Sequence, residues 1–130
     1  MMELKSDLEK KKILLVDDEP NIVLVVEARL KANNYEVLTA ANGEEALTKA
    51  REEKPDLIIL DLMLPKIDGY QVCRLLKFDK NYSNIPIILL TAKGQREDRE
   101  WGEKAGADAY ITKPFEAAVL LGKIKELLTP

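Results

Sequence analysis

The sequence contains no histidine and only one cysteine, Cys73. The absence of imidazole excludes histidine-based zinc sites, Ser-His-Asp triads and phosphohistidine carriers. A single cysteine cannot form an internal disulfide, which agrees with a reducing cytoplasm. Because Cys73 lies next to Val72 on a predicted helix, we expect its thiol to be buried and unreactive.

Long apolar runs and an excess of positive charge are missing as well. No stretch approaches the roughly 20 apolar residues that a membrane-spanning helix needs, and the first residues lack the apolar segment of a signal peptide. A net charge of -3 and a pI near 5.2 give no electrostatic reason for contact with nucleic acid or an anionic membrane. We therefore predict a cytoplasmic protein without membrane or direct nucleic-acid contacts.

The composition is that of one globular domain. The chain has 130 residues, of which 46% are hydrophobic and 33% charged, and this size is sufficient for one buried core. Residues 1–12 form a polar lead-in, and residues 13–130 contain no linker or repeat that would divide them. Because the last predicted helix ends two residues before the last residue, the expectation is a stand-alone domain.

Five short apolar runs alternate with longer segments of helical periodicity. Runs that are hydrophobic on both faces are typical of parallel strands, and their alternation with helices predicts βαβ units of an α/β domain. The predicted strands lie in residues 13–16, 35–40, 57–60, 85–90 and 109–112. The predicted helices lie in residues 20–33, 44–53, 69–79, 95–104 and 116–128. Apolar faces are predicted for the third helix at Val72, Leu75 and Leu76, and for the last at Ala117, Leu121, Ile124 and Leu128.

Polar residues close four of the five runs. Asp17 and Asp18 follow the first run, Asp61 follows the third, Thr91 the fourth and Lys113 the fifth. In open α/β sheets, ligands bind beyond the carboxyl ends of the strands. If the runs are parallel strands, these side chains therefore meet at one edge of the sheet.

Phosphoryl chemistry is the chemistry that this set of residues suits. Two carboxylates 4 Å apart repel each other by about 4 kcal/mol at an effective dielectric constant near 20, so three of them need positive counter-charge. Lys113 supplies one charge, and Mg²⁺, which prefers carboxylate and phosphate oxygens, would supply the rest. A carboxylate beside Mg²⁺ can act as a nucleophile and form an aspartyl phosphate, with Asp61, Lys113 and Thr91 as nucleophile, ammonium and hydroxyl.

At this point the chain resembles the receiver domains of two-component response regulators. The resemblance runs from Ile13 to Leu128 and rests on four segments that occur in the expected order. They are ILLVDDEP at 13–20, DLIILDLMLPKIDG at 56–69, IPIILLTA at 85–92 and GADAYITKPF at 106–115. The resemblance implies a flavodoxin-like (βα)5 three-layer sandwich with a parallel sheet of order 2-1-3-4-5.

The resemblance also implies a role for each strand-end residue. Asp61 would accept a phosphoryl group from a sensor histidine kinase or a histidine phosphotransfer protein. Lys113 would pair with Asp61 and then with the phosphoryl group, which Thr91 would also bind. The implied ligands of Mg²⁺, or of Mn²⁺ in its place, are Asp17, Asp18, Asp61 and the backbone carbonyl of Met63.

The remaining implied features concern switching and partners. Tyr110 would turn inward when Thr91 moves, changing the face formed by the fourth helix, fifth strand and fifth helix, which controls a downstream protein. The Lys113–Pro114 bond would be cis. Five apolar residues in a row, at 22–26, cannot all face the sheet; we hypothesise that Leu24 or Val25 contacts the phosphoryl donor. The protein would be a monomer or a phosphorylation-dependent dimer.

Alternatives remain for the site and for the function. Asp17 and Asp18 can simply favour the start of a helix, and Thr91 and Tyr110 can be an ordinary loop hydroxyl and a core aromatic. A receiver-like module could act by binding, without phosphorylation. An aspartyl-phosphate hydrolase of the haloacid dehalogenase type is disfavoured, since the second aspartate of its Asp-x-Asp pattern is missing after Asp61. The interpretation adopted is a signalling phospho-acceptor and not an enzyme that turns over a separate metabolite.

Overall fold

The computed structural model of the chain describes residues 10–92 and 104–129. Within these residues the five apolar runs form parallel strands, hydrogen-bonded in the order β2-β1-β3-β4-β5. The strands are β1 Lys12–Val16, β2 Glu36–Ala40, β3 Leu57–Asp61, β4 Ile87–Ala92 and β5 Ala109–Lys113. The predicted α/β class, flavodoxin-like architecture and strand order are confirmed.

Helices cover both faces of this sheet. Those that the structure describes in full are α1 Pro20–Ala32, α2 Gly43–Glu53, α3 Gly69–Lys77 and α4 Ala117–Leu128. None of the described helices is long and apolar enough to cross a membrane. The helix predicted at residues 95–104 lies outside the described residues except for its last residue.

The helix ends follow local sequence chemistry. Pro20 occupies the first turn of α1, where its missing N–H would have no helical partner. Asn34 follows the end of α1 with a φ of 68°, a left-handed conformation that asparagine tolerates better than most residues. At the starts of α2 and α3, Asn42 and Asp68 each accept a hydrogen bond from a first-turn backbone N–H, at 2.8 Å and 3.0 Å.

The core consists of two apolar layers separated by the sheet. Because side chains alternate along a strand, Leu14 and Val16 pack on the side of α2 and α3, whereas Ile13 and Leu15 pack on the side of α1 and α4. The four residues of β3 from 57 to 60 are fully buried, as the central strand of a sheet covered on both faces requires. The helices and sheet therefore form three layers.

Two predicted helix faces differ from the structure. Leu75 is 48% exposed, because Val72, Cys73 and Leu76 already fill the contact of α3 with the sheet. In α4, Leu120 and Ile124 are the buried pair, while Leu121 is only half-buried. Ile124 is therefore on the buried face as predicted, and Leu121 and Leu128 pack against the same apolar layer, while Leu120 was not part of the predicted face. Cys73 is fully buried, and burial raises the pKa of its thiol to about 12.

Candidate functional site

The carboxyl ends of β1, β3 and β5 bring three predicted site residues together. Asp17 follows the last residue of β1, while Asp61 and Lys113 are the last residues of β3 and β5. The Nζ of Lys113 lies 3.0 Å from Oδ2 of Asp17 and 3.3 Å from Oδ2 of Asp61. One ammonium thus joins carboxylates from two neighbouring strands.

The two aspartates are almost completely withdrawn from solvent. Asp17 is 1% exposed and Asp61 is 4% exposed. Burial raises the pKa of the Asp61 carboxyl, and the nearby charge of Asp17 raises it further. The Lys113 ammonium and a hydrogen bond from the backbone N–H of Met63, at 3.4 Å, oppose this rise without cancelling it. The negative charge of Asp61 is therefore under-compensated in this arrangement.

The charge of Lys113 is held by its carboxylate neighbours. Burial would lower the pKa of this ammonium, but the opposite charges of Asp17, Asp61 and Glu19 outweigh burial and raise it. Lys113 is therefore a permanently charged group at neutral pH. An ammonium held in this way can stabilise negative charge that develops beside Asp61.

Glu19 adds a third carboxylate that the sequence analysis did not single out. One of its oxygens lies within 4.8 Å of carboxylate oxygens of Asp17 and Asp61, and its Oε1 is 3.3 Å from Nζ of Lys113. Its backbone N–H donates to Oδ1 of Asp17 at 3.0 Å. The sequence feature that could have identified Glu19 is its position, directly after the acidic pair and directly before Pro20, which begins α1.

The donor set suits a hard divalent cation. Three carboxylates can each offer an oxygen within 4.8 Å of the others, and only one ammonium lies among them in the part of the chain that the structure describes. Oxygen ligands and surplus negative charge are the conditions under which Mg²⁺ binds. The residues present therefore fit the predicted cation.

The other two predicted metal ligands are less directly placed. Asp18 is exposed and lines an open hollow together with Glu27 and Glu45. Among the described residues, it is not part of the group of close carboxylate oxygens. Met63 turns its backbone N–H toward Asp61 and leaves its side chain 77% exposed. Metal ligation by Asp18 and by the Met63 carbonyl stays a prediction.

Thr91 and Tyr110 lie on adjacent strands and on the same face of the sheet. Thr91 is 5% exposed and stands two residues beyond Leu89, which is opposite Tyr110 in the ladder of β4 and β5. Tyr110 is half-buried and packs against the apolar layer on the α2 and α3 side. The Lys113–Pro114 peptide bond is cis. The two predicted switch residues therefore lie on neighbouring strands, two positions apart along the ladder.

A close approach brings α3 against the end of β3. A Cβ atom on Gly69, the first residue of α3, would overlap the backbone carbonyl oxygen of Asp61. The backbone N–H of Gly69 also donates to the carbonyl of Leu62 at 3.0 Å. Glycine is therefore required for the chain to return so closely to the end of β3.

An open hollow of about 570 Å³ adjoins Lys113 on its α1 side. It is bordered by apolar side chains of α1 and of the segment after β5, including Ile22, Val25 and Phe115. On the same helix, Leu24 and Val25 are 69% and 61% exposed. The five consecutive apolar residues of α1 are thus not all buried, and part of this surface lies beside the site.

Comparisons with known proteins agree with this geometry. Residues 13–125 match the family model described as the response regulator receiver domain. The chain is 51% identical over 122 residues to the probable transcriptional regulator ycf27 of Cyanophora paradoxa, an alignment that covers 94% of this chain and 50% of that protein. The chain therefore spans about half the length of the curated relatives it matches.

Two solved structures are similar over nearly the whole chain. The first is a putative response regulator from Chloroflexus aurantiacus J-10-fl, with a TM-score of 0.89, 38% identity and coverage of 92% of this chain and 98% of that one. The second is the receiver domain of the sensor histidine kinase PA1611 from Pseudomonas aeruginosa PAO1. Its TM-score is 0.85 and its identity 36%, with coverage of 92% and 98%, and that structure has a magnesium ion coordinated in its active site cleft.

Proposed function

The chain belongs to the response regulator receiver domain family, and from this premise we propose that it accepts a phosphoryl group on Asp61. The proposed donor is the phosphohistidine of a sensor histidine kinase or a histidine phosphotransfer protein. The observation that carries the proposal is the buried Asp61 carboxylate, 3.3 Å from the Lys113 ammonium and within the close group of carboxylates. Burial and the neighbouring charge of Asp17 raise the pKa of this carboxyl, as is common for groups at functional sites.

The proposed reaction exchanges one bond to phosphorus for another. An oxygen of Asp61 attacks the phosphorus atom, the bond from phosphorus to the donor's imidazole nitrogen breaks, and the electron pair of that bond stays with the imidazole, which takes up a proton. Lys113 and the hydroxyl of Thr91 would bind the transferred oxygens. Mg²⁺, or Mn²⁺ in its place, would offset negative charge on those oxygens when held by Asp17 and Asp61, with Asp18 and the Met63 carbonyl as further proposed ligands.

The proposed output is a change of surface and not the turnover of a metabolite. Thr91 would move toward the phosphoryl group and Tyr110 would turn inward, which alters the face that includes β5 and α4. The relative from Cyanophora paradoxa is named a probable transcriptional regulator and is about twice as long as this chain. We propose that the domain signals to a downstream protein, and that any DNA contact belongs to that partner or to a linked domain. A monomer or a phosphorylation-dependent dimer is proposed, and the stand-alone arrangement stays a prediction.

The exposed side chains of α1 are the proposed contact for the phosphoryl donor. Leu24 and Val25 lie on the helix that borders the hollow beside Lys113. Apolar side chains exposed next to a reactive group are typical of a protein contact surface. We expect replacement of both with glutamate to slow transfer from a phosphohistidine protein and to leave phosphorylation by acetyl phosphate unchanged. Equal rates from the phosphohistidine protein would contradict this assignment.

The decisive experiment is intact mass spectrometry after incubation with acetyl phosphate and Mg²⁺. We expect one added phosphoryl group on the wild type, and none on Asp61→Asn or when the cation is removed by chelation. Asp108→Asn, which removes a carboxylate at the opposite edge of the sheet, is the matched control and should be phosphorylated. If the wild type acquires no phosphoryl group, the protein is better described as a binding module that acts without phosphorylation.

A further inference from the structure

The ammonium of Lys113 is shared among three carboxylates and not two. Its Nζ lies 3.0 Å from Asp17, 3.3 Å from Asp61 and 3.3 Å from Glu19. We propose that Glu19 is a positioning residue that holds Lys113 in the unphosphorylated site and must release it for phosphoryl transfer. This inference rests on the proposed function and assigns a regulatory role to a residue outside the predicted site.

The backbone around Glu19 aims its side chain at Lys113. Glu19 is the N-cap of α1 in an extended conformation, with φ -93° and ψ 108°. Its backbone N–H donates a hydrogen bond to Oδ1 of Asp17. Its backbone carbonyl accepts a hydrogen bond from the N–H of Val23 at 3.1 Å. Since Pro20 has a restricted φ, the segment enters the helix in a well-defined way. The carboxylate is therefore presented by a constrained turn and not by a free loop.

Of the three carboxylates, Glu19 is the one whose ion pair with Lys113 is broken at the lowest cost. The side chain of Asp17 is 0% exposed and that of Asp61 is 6% exposed, whereas that of Glu19 is 59% exposed. Water can replace Lys113 as the partner of an exposed carboxylate, but not of a buried one without a large penalty. When phosphoryl oxygens arrive beside Asp61, Lys113 can turn to them by giving up Glu19.

This arrangement has opposite consequences for cations and for anionic donors. The charge of Glu19 strengthens the attraction of the site for a divalent cation. The same charge repels a doubly negative phosphoryl donor and competes with its oxygens for Lys113. Glu19 should therefore tighten Mg²⁺ binding and slow phosphoryl entry, and removal of its charge should weaken the first and accelerate the second.

The test compares two substitutions of Glu19 with a control at the opposite edge of the sheet. Glu19→Gln removes the charge, while Glu19→Asp keeps the charge but shortens the side chain by one carbon–carbon bond, about 1.5 Å, which breaks the contact with Lys113. Glu36→Gln removes one negative charge from the first residue of β2, where Glu36 lies 3.9 Å from Lys12. All three variants keep Asp17, Asp61 and Lys113.

The first readout is the rate of acetyl phosphate modification at saturating Mg²⁺. We expect both Glu19 variants to react roughly two to three times faster than the wild type, the size of effect expected when an exposed charge near a dianion is removed or displaced at physiological salt. Glu36→Gln should react at the wild-type rate. An accelerated Glu19→Gln with a wild-type Glu19→Asp would reduce Glu19 to a general field effect and overturn the positioning role.

The second readout does not depend on phosphorylation. In the metal-free protein, nuclear magnetic resonance of the Lys113 ammonium should show faster proton exchange with water in both Glu19 variants, and unchanged exchange in Glu36→Gln. Calorimetry should show weaker Mg²⁺ binding in Glu19→Gln than in Glu19→Asp, because only the second variant keeps the negative charge. Unchanged Lys113 exchange would overturn the inference alone, whereas absence of phosphorylation in the wild type would instead count against the proposed function.

Discussion

Lysines pair with carboxylates at both ends of the parallel strands, which we call the amino-terminal edge and the carboxyl-terminal edge. The two edges differ in how well their charges are balanced. At the amino-terminal edge, Lys77 pairs with Asp108 at 2.9 Å and also donates to the carbonyl of Ile85 at 3.1 Å. The same carboxylate of Asp108 accepts the backbone N–H of Ile87 at 2.8 Å. At the carboxyl-terminal edge, the single ammonium of Lys113 serves Asp17, Glu19 and Asp61. One edge is balanced in charge and the other is not.

This difference separates a structural ion pair from a candidate cation site. Lys77 and Asp108 satisfy each other and tie α3, β4 and the segment before β5 together, so no further ligand is required there. At the other edge, burial and repulsion raise the pKa of Asp61 despite the presence of Lys113. Surplus negative charge of this kind is unfavourable by itself and favours binding of a cation.

The largest effect is expected from breaking the balanced edge. Asp108→Ala leaves the Lys77 ammonium, whose side chain is only 13% exposed, and the N–H of Ile87 without their shared acceptor. We expect the free energy of unfolding to fall by about 2–3 kcal/mol, measured by urea denaturation. Asp108→Asn, which keeps an acceptor for the N–H, should lose less. A loss below about 0.5 kcal/mol for the alanine variant would show that this pair is not structural.

A smaller effect is expected from filling the unbalanced edge. Mg²⁺ that binds only the folded state should stabilise the wild type by about 1.4 kcal/mol at ten times its dissociation constant. Thermal unfolding with and without Mg²⁺ measures this gain. It should disappear in Asp61→Asn and persist in Asp108→Asn. The variant Asp18→Asn sharpens the ligand assignment, because a full Mg²⁺ response in it would exclude Asp18 as a ligand.

The next prediction is a gain in stability, whereas substitutions of buried residues ordinarily destabilise a protein. In metal-free buffer, Asp61→Asn should increase the free energy of unfolding by about 1 kcal/mol, because it removes a carboxylate that is buried beside Asp17. The measurement is urea denaturation at neutral pH. Destabilisation by this substitution would mean that the attraction between Asp61 and Lys113 outweighs burial and repulsion.

The pH dependence of the same comparison follows from the direction of the Asp61 pKa shift. The pKa is raised from its ordinary value of 3.8, so between that value and the raised one the folded protein binds more protons than the unfolded chain. The contribution of Asp61 to stability therefore falls as pH rises through this range. Below this pH range Asp61 is protonated in both the folded and the unfolded protein. The difference in free energy of unfolding between the wild type and Asp61→Asn that arises from this charge should then disappear.

The smallest effect is expected at an exposed ion pair of the balanced edge. Glu53→Gln removes a carboxylate 3.3 Å from Nζ of Lys12, in a pair whose side chains are 45% and 29% exposed. Exposed ion pairs contribute little to stability, so the free energy of unfolding should fall by less than about 0.5 kcal/mol. Urea denaturation measures this change. A loss as large as that for Asp108→Ala would mean that the whole edge acts as one network.

Much of the fold follows from local patterns in the sequence. The apolar runs became strands because they are hydrophobic on both faces, and α1, Pro20–Ala32, ends within one residue of the helix predicted at 20–33. The strand order came from the family resemblance and is confirmed by the ladder pairing. Leu75 was placed on the wrong face because periodicity alone does not tell which of two adjacent leucines fits against the sheet.

The candidate site was predicted in part. Asp17, Asp61, Thr91 and Lys113 could be located because the ends of parallel strands share an edge. Glu19 was not located by this rule, because it lies beyond the end of β1 and its contact with Lys113 depends on how the turn before α1 leaves the strand. The exposed position of Asp18 has the same origin, since adjacent residues in a turn point in different directions.

The sequence by itself determined the strands, the helices that the structure describes, and the Asp17, Asp61 and Lys113 side chains that meet at the carboxyl ends of the strands. These follow from local periodicity and from residue type, which are properties of short segments. Only the tertiary structure decided how charge is shared, with Lys77 matched to Asp108 at one edge and Lys113 divided among three carboxylates at the other. The physical reason is that burial and distance set electrostatic energies, and both arise only when distant segments pack together.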